Sequence, residues 1–292
     1  MANILITGGT GLIGARLTEV LEQKGHIVKI LTRSPKKKNE FKWDLAKGYI
    51  AEDAIKNTDY IIHLAGAGIA DKRWSKSRKT EIIHSRVNSA NLLFNKIKQL
   101  NTSLKGFISA SGTGYYGAIT SKAILIEENP VGEDFLGDVC NKWEAAALQF
   151  KTIDIPVSIL RTGIVLSNKG GALKKMQTLV IAGLGKGSQY IPWIHIEDLC
   201  NLYVKAIDNE LEGTYNAVAP EYHTSISFSK TLAKSVSRPF TSLCVPGFLL
   251  HLVFGEMALI LLEGSRISSE KIKNKNFNFK YPKLSDALND LF

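Results

Sequence analysis

An α/β fold is predicted for this chain, with a doubly wound, mostly parallel sheet and a smaller second lobe. Two observations carry it. Strand-like and helix-like runs alternate from residue 3 to about residue 163, the pattern that lays helices on both faces of a parallel sheet. A glycine-rich turn joins the first strand-like run to the first helix-like run.

In order, Asn3 to Thr7 is a short apolar strand and Leu12 to Lys24 has helical spacing. His26 to Thr32 and Tyr60 to Ala65 read as strands, and Ser75 to Leu100 as a long amphipathic helix. Lys105 to Ser109 reads as a strand, Phe135 to Lys151 as a helix and Val157 to Arg161 as the strand that closes the series. After about Gly163 the pattern changes. Gly170-Gly171 and Gly183 to Gly187 flank a predicted helix from Ala172 to Ala182. Ile191 to Ile196 and Thr214 to Val218 return as strands around a helix from Glu197 to Asp208. The remainder reads as helical, with one irregular aromatic segment at Phe277 to Tyr281. The expected division is a first domain over residues 1–163, to which 189–218 returns, and a discontinuous lobe made of 164–188 and 219–292.

The chain has 292 residues, 45% hydrophobic and 22% charged. A chain of this size buries roughly three quarters of its unfolded surface, so it needs no disulfide or metal staple. Cys140, Cys200 and Cys244 are widely spaced and odd in number, as expected for reduced thiols of a cytoplasmic protein. The first strand starts within three residues of Met1, which leaves no room for a signal peptide. Phe248 to Leu262 is apolar but shorter than the ~20 residues a membrane span requires. It is expected to be a buried or partner-facing helix. The formal charge of +10 is spread over Lys36 to Lys38, Lys72 to Lys79 and Lys271 to Lys283, without the basic and aromatic alternation of a base-stacking surface. A small phosphorylated molecule is therefore the expected partner, not a nucleic acid.

The opening Ile4-Leu5-Ile6-Thr7-Gly8-Gly9-Thr10-Gly11-Leu12-Ile13-Gly14 supplies strand, glycine turn and helix in one run. Gly8 permits the tight turn, Gly11 lets backbone approach a pyrophosphate, and Gly14 lets helix and strand pack closely. The amides of Gly11, Leu12 and Ile13 lie at a helix N-terminus, where the dipole favours an anion. This is a Rossmann-type dinucleotide site, with Gly8, Thr10, Gly11, Leu12, Ile13 and Gly14 along the cofactor. The end of the second strand then discriminates between cofactors. An NAD site usually offers an acid there. This chain offers Arg33 and Ser34, and no acid before Glu40. Arg33 can pair with a 2′-phosphate and stack on adenine, so NADP(H) is expected in preference to NAD(H).

Those residues, with His63-Leu64-Ala65-Gly66 and Trp193-Ile194-His195-Ile196-Glu197-Asp198, resemble the extended short-chain dehydrogenase/reductases, the class that contains sugar-nucleotide epimerases and dehydratases. The resemblance is closer to an atypical, epimerase-like or cell-division-inhibitor-like branch of NAD(P)-dependent epimerases. Segments that carry it include Ile69-Ala70-Asp71-Lys72-Arg73-Trp74, Gly114-Tyr115-Tyr116-Gly117, Leu160-Arg161-Thr162-Gly163 and Tyr215-Asn216-Ala217-Val218-Ala219-Pro220, and they span nearly the whole chain. The resemblance implies that Leu64, Ala65 and Gly66 also lie along the cofactor. It implies that Asn88 matches an active-site asparagine and that Asp44 approaches the adenine.

Chemistry in that superfamily rests on a tyrosine and a lysine four residues later. None of the nine tyrosines has a lysine at that spacing. By register the tyrosine's place falls on Cys140 and the lysine's on Glu144, and a cysteine there is also the habit of the atypical branch. A thiol, with an ordinary pKa of about 8.5, can still move a proton. Glu144 cannot lower that pKa as an ammonium would, though its carboxylate could accept ribose hydroxyls. Cys140 could equally be a small buried residue that fills space. Ser111 is the candidate for the substrate-polarising hydroxyl, with Thr113 the alternative. His195 and Asp198 resemble the segment near the substrate entrance, and no metal-ligand set accompanies them.

On the substrate side, Arg73, Trp74 and Arg161 follow strand ends, where open α/β sheets carry ligands. Trp193 comes from the second lobe. Arginines facing tryptophan suit a phosphorylated or carboxylated small molecule. The leading reading is an NADP(H)-dependent oxidoreductase or epimerase of a small, nucleotide-linked or phosphorylated substrate. Its rival is a non-catalytic NADPH-binding sensor or interaction protein, supported by the missing Tyr–Lys pair. The 75–100 and 135–151 helices resemble a pair on which many relatives dimerise, so monomer and homodimer both stay open.

Overall fold

The computed structural model describes residues 1–208 and 211–292. At its centre lies an eight-stranded sheet in the order 213–217, 157–162, 106–112, 60–63, 3–7, 27–32, 40–44, 49–50. Every neighbouring pair is parallel except the last, where Tyr49–Ile50 runs antiparallel to Glu40–Asp44. The middle strands are buried on both faces, which explains their unbroken apolar runs: Ile4, Leu5, Ile6, Ile61 and Ile62 are wholly inaccessible. From Asn3–Thr7 the chain builds outwards one way, then crosses back and builds the other way from Tyr60–His63. The crevice beyond Thr7 and His63 is the switch point at which open α/β sheets bind ligands.

Helices Leu12–Gln23 and Ile196–Asp208 cover one face through Leu17, Leu21, Leu199 and Tyr203. Helix Lys76–Leu100 covers the other through Leu93 and Ile97, and Phe135–Leu148 joins it through Ala147 against Phe107 and Phe150. Both of these helices start where the sequence supplies a cap. Ser75 accepts from the Arg78 amide, and Asp134 from the Gly137 amide.

A second core gathers Leu166, Leu173, Ile181, Trp193, Phe228, Leu284 and Leu288 from the later part of the chain. Two parallel ladders lie in this part of the chain, Ile164–Leu166 with Trp193–His195 and Ile181–Leu184 with Phe240–Val245. Here the structure corrects the sequence reading. The Ala172–Ala182 helix stops at Met176, and Ile181 onwards is strand, because a short β-branched run follows whichever partner it finds. The C-terminal part is not wholly helical, since Phe240–Val245 supplies that partner. The Phe248–Leu262 helix is broken at Gly255, whose φ of +61° ends the first piece, Gly247–Phe254. Its outer side exposes Phe248, Leu252 and Val253. Among the described residues no helix is long and apolar enough to cross a membrane. Asp198 accepts from the Lys280 and Tyr281 amides and so ties the C-terminal segment to helix Ile196–Asp208.

Candidate active site

The glycine turn is built to meet a ligand. Gly8 sits at φ +72°, and a Cβ there would lie 3.0 Å from the Leu64 carbonyl carbon. A Cβ on Gly14 would stand 2.4 Å from the Gly8 carbonyl oxygen, so helix and strand approach closely only because that atom is missing. Gly11 caps the helix in extended geometry with no side chain on its amides. Its own N–H bonds Gly8 O at 3.0 Å, while the first-turn amides beyond it open onto the crevice. The 60–63 strand delivers Leu64, Ala65 and Gly66 alongside. Leu64 and Ala65 amides donate to Thr7 O and Thr7 Oγ1, which fixes that loop on the turn.

At the end of Ile27–Thr32, Arg33 is exposed and has no hydrogen-bond or ion-pair partner among the described residues. The Ser34 amide donates weakly to Thr32 Oγ1. Glu40, the nearest acid, accepts from the Lys36 and Lys37 amides at 2.6 and 3.3 Å and is taken up in closing the turn. Asp44 likewise accepts from Ala46 and Lys47. In both carboxylates one oxygen takes the two amide bonds, which fixes the acid on its own turn.

Across the crevice, Cys140 and Glu144 stand one turn apart on helix Phe135–Leu148, and the 106–112 strand brings Ser111 to both. Ser111 Oγ donates to Glu144 Oε1 at 2.7 Å. The Cys140 sulfur lies 3.7 Å from where a Cβ on Gly112 would be. Burial pushes the thiol up to about 11 and Glu144 adds to this, while the Gly112 amide, Arg86 and Ser111 oppose it. Cys140 is therefore a thiol at neutral pH. Glu144 is locked: Arg161 Nε and Nη2 donate to its two oxygens, both at 2.9 Å, and both side chains are buried. Burial works against the Arg161 charge, but the bonds to Glu144 hold its pKa above the ordinary value. Arg161 Nη1 also donates to Tyr116 Oη and Glu127 O, and its guanidinium lies 3.3 Å above the Tyr115 ring. Tyr116 in turn donates to Asn216 Oδ1.

Several residues expected at the site are therefore elsewhere. Arg161 is 4% exposed and gives four of its five N–H donors to protein acceptors, so it is built into the core and not presented to a substrate. Trp193 is buried in the second core and donates to Glu221 O. Trp74 donates to Ile69 O and packs edge-on against Phe135, a structural anchor. Asn88 is exposed on the outer side of its helix, in a groove with His84, Asn91 and Gln149, because Ile82, Arg86 and Ser89 occupy the inward positions. His195 is buried against Tyr281 instead of lining the substrate entrance. Arg73 stays exposed, beside Gly255.

Residues 4–139 match the family described as NAD dependent epimerase/dehydratase, and residues 245–291 match a domain of unknown function (DUF1731). An epimerase family protein of Staphylococcus aureus (strain NCTC 8325) is 35% identical over 100% of this chain and 99% of its own. The chain belongs to the NAD dependent epimerase/dehydratase family. Among solved structures, the human epimerase family protein SDR39U1 with NADPH superposes with a TM-score of 0.88 at 30% identity, covering 99% of this chain and 98% of that one. A nucleoside-diphosphate sugar epimerase from Corynebacterium glutamicum gives 0.81 at 30% identity, covering 99% of this chain but 58% of that one. A UDP-glucuronic acid 4-epimerase from Bacillus cereus, at 17% identity over 99% of this chain and 97% of its own, shares the fold with a TM-score of 0.78.

Within this family member, sequence reasoning missed Arg86. It projects inward from helix Lys76–Leu100 and is 8% exposed. Its guanidinium stacks 4.8 Å over the Trp143 ring and lies against Gly66, where a Cβ would come within 2.9 Å of Cζ. Helical phase was the available signal. Ile82, Arg86 and Ser89 share one face, and a cation on the inward stripe of an amphipathic helix is out of place unless it has work there.

Proposed function

We propose that this protein is an NADP(H)-dependent oxidoreductase or epimerase of a small, nucleotide-linked or phosphorylated substrate. The observation that carries the cofactor choice is Arg33, exposed and without a partner among the described residues, directly after the second strand, where no acid follows before Glu40. A free guanidinium suits a 2′-phosphate, and the acid that usually binds an NAD ribose at this strand end is replaced by a cation. The NADPH in the human relative's crystal structure supports the same reading.

Bound in the crevice, the dinucleotide would supply or accept hydride at its nicotinamide. The chain's own part is to handle the proton. Cys140, a thiol at neutral pH, is the donor. Ser111 has one hydroxyl proton; Glu144 takes it while Cys140 is a thiol, and it can turn to the sulfur only when that ionises. Glu144 is fixed by Arg161 and orients Ser111 without touching the substrate. Ser111 in this state positions Cys140 and is not a free donor to a substrate carbonyl.

Calorimetric titration with NADPH and NADH tests the cofactor reading. NADPH should bind tighter, and Arg33→Asp should weaken it by about a hundredfold while leaving NADH nearly unchanged, the size of a lost charge-assisted pair plus a new repulsion. An Arg33→Asp protein that keeps its NADPH affinity overturns the assignment. Turnover of a carbonyl panel, abolished by Cys140→Ala, supports the enzyme. Bound NADPH that stays inert to every carbonyl favours the sensor reading.

A further inference from the structure

Three arginines are buried among the described residues, and two of them have carboxylates: Arg78 pairs with Glu81, and Arg161 with Glu144. Arg86 has none. Its Nη1 donates to Ala67 O and Ile82 O, at 3.0 and 2.9 Å, and its Nε–H has no acceptor. A guanidinium out of water and without an anion is costly, and proteins seldom keep one unless something binds it. The surroundings say where that something would sit. Gly66 of the crevice loop touches the guanidinium on one side, and Trp143 lies beneath it. Trp143 is held in turn by its Nε1 donating to His63 Nδ1. That bond leaves the His63 proton on Nε2, directed at Ser89 Oγ 2.7 Å away, and burial keeps the ring neutral. The indole platform under Arg86 is thus rigid and uncharged.

We propose that Arg86 is the anchor of an anion subsite in the crevice beside Cys140, and that it receives a carboxylate borne by the substrate next to its reacting carbon. The inference deepens the reading of this crevice as a dinucleotide-dependent site and rests on it. With both Nη1 protons spent on carbonyls, the Nε–Nη2 edge is the one left for an anion, and its planar fork matches the two oxygens of a carboxylate. The resting protein leaves the charge uncompensated. Burial already brings the Arg86 guanidinium down to about 10, and the neighbouring Cys140 favours the cation only when it is a thiolate. Arg33 lies at the far end of the crevice, beyond the second strand, so the two cations can hold two different anionic groups at once.

Trp143 makes the subsite observable. Oxalate and malonate are titrated into the NADPH-loaded protein, with inorganic phosphate as a second anion, and tryptophan fluorescence is followed against a Trp143→Phe control. The expected result is a saturable change from the dicarboxylates that Trp143→Phe lacks, weakened about tenfold or more in Arg86→Gln and largely restored in Arg86→Lys. Phosphate binding as tightly as the dicarboxylates would overturn the carboxylate assignment. NADPH affinity, measured separately by calorimetry, should stay within about twofold in Arg86→Gln. If that variant loses NADPH instead, Arg86 serves the cofactor and the proposal is wrong. If wild-type protein binds NADPH but gives no saturable anion signal, the proposal also fails, whether or not the variants fold. Wild-type protein that binds no NADPH would sink the cofactor reading instead.

Discussion

The two sides of the crevice are prepared in opposite ways. On the cofactor side, partners are withheld: first-turn amides face open space, Arg33 has no counter-ion, and nearby carboxylates are turned inward to backbone. On the Cys140 side almost every polar group is satisfied by another side chain, from Ser111 through Glu144 and Arg161 to Tyr116 and Asn216. Among the described residues Arg86 stands out there as a buried cation without a carboxylate. A binding surface for a large anionic ligand needs unspent donors, whereas a network of buried charges needs every one of them paired. On the function proposed above, the difference separates what binds from what positions.

The sharpest way to break this comparison is Arg161→Met. It strands a buried carboxylate, so unfolding free energy in denaturant should fall by ~3–5 kcal/mol, with Glu144→Gln/Arg161→Met recovering part of that loss. If Arg161→Met were as stable as wild type and changed only a substrate's KM, the network would be a substrate site after all. On the opposite side, Gly14→Ala should cost about 1–3 kcal/mol in the same measurement, because its Cβ would meet a main-chain oxygen that cannot swing aside. NADPH affinity should drop with it. An unchanged melting temperature and an unchanged titration would refute the close-approach argument.

The same contrast explains how much was legible in the sequence. The glycine turn occupies seven consecutive residues and its neighbours follow in order, so strand, turn and helix could be read directly. Cys140 and Glu144 were placed together by register with the superfamily's tyrosine and lysine, and they share one helix. The bonds that tie them to the rest of the site were not legible. Ser111 to Glu144 spans 33 residues and Tyr116 to Asn216 spans 100, and no periodicity announces a hydrogen bond over such a distance. Arg161 was placed at the rim because strand ends usually carry ligands, and Trp193 because it comes from the second lobe. Whether a side chain at a strand end turns outward or into the core depends on what arrives from elsewhere in the chain. Glu144 reached Arg161 before any substrate could.

Acidification offers a smaller and more graded test of the satisfied side. Burial holds His63 at about 3 and His195 at about 4, against an ordinary 6.5. Both are neutral in the fold, so the unfolded chain takes up protons first as pH falls. Their contribution to stability is complete above pH 6.5 and is lost between there and the folded pKa values, by ~1.4 kcal/mol per pH unit for each ring. Unfolding curves from pH 7 to pH 4 should show that slope, and His63→Asn should reduce it by one proton's worth. A slope identical in wild type and variant would mean that His63 titrates normally.

Arg73→Ala should produce the smallest effect on the fold and is informative for that reason. Its side chain is exposed and has no ion pair among the described residues, so stability should move by less than about 0.5 kcal/mol. It nevertheless lies on the segment that follows the Tyr60–His63 strand, unspent in the way Arg33 is. An unspent cation on a ligand-facing rim belongs to the withheld class, so its loss should raise KM for a phosphorylated or carboxylated substrate and leave kcat alone, as expected when binding is lost equally from ground and transition states. The pairing of Arg73→Ala with Arg161→Met is the decisive one: the first should weaken substrate binding in a stable protein, the second should unsettle the protein itself. Exchange of those two outcomes would mean that the satisfied and withheld regions have been assigned the wrong way round.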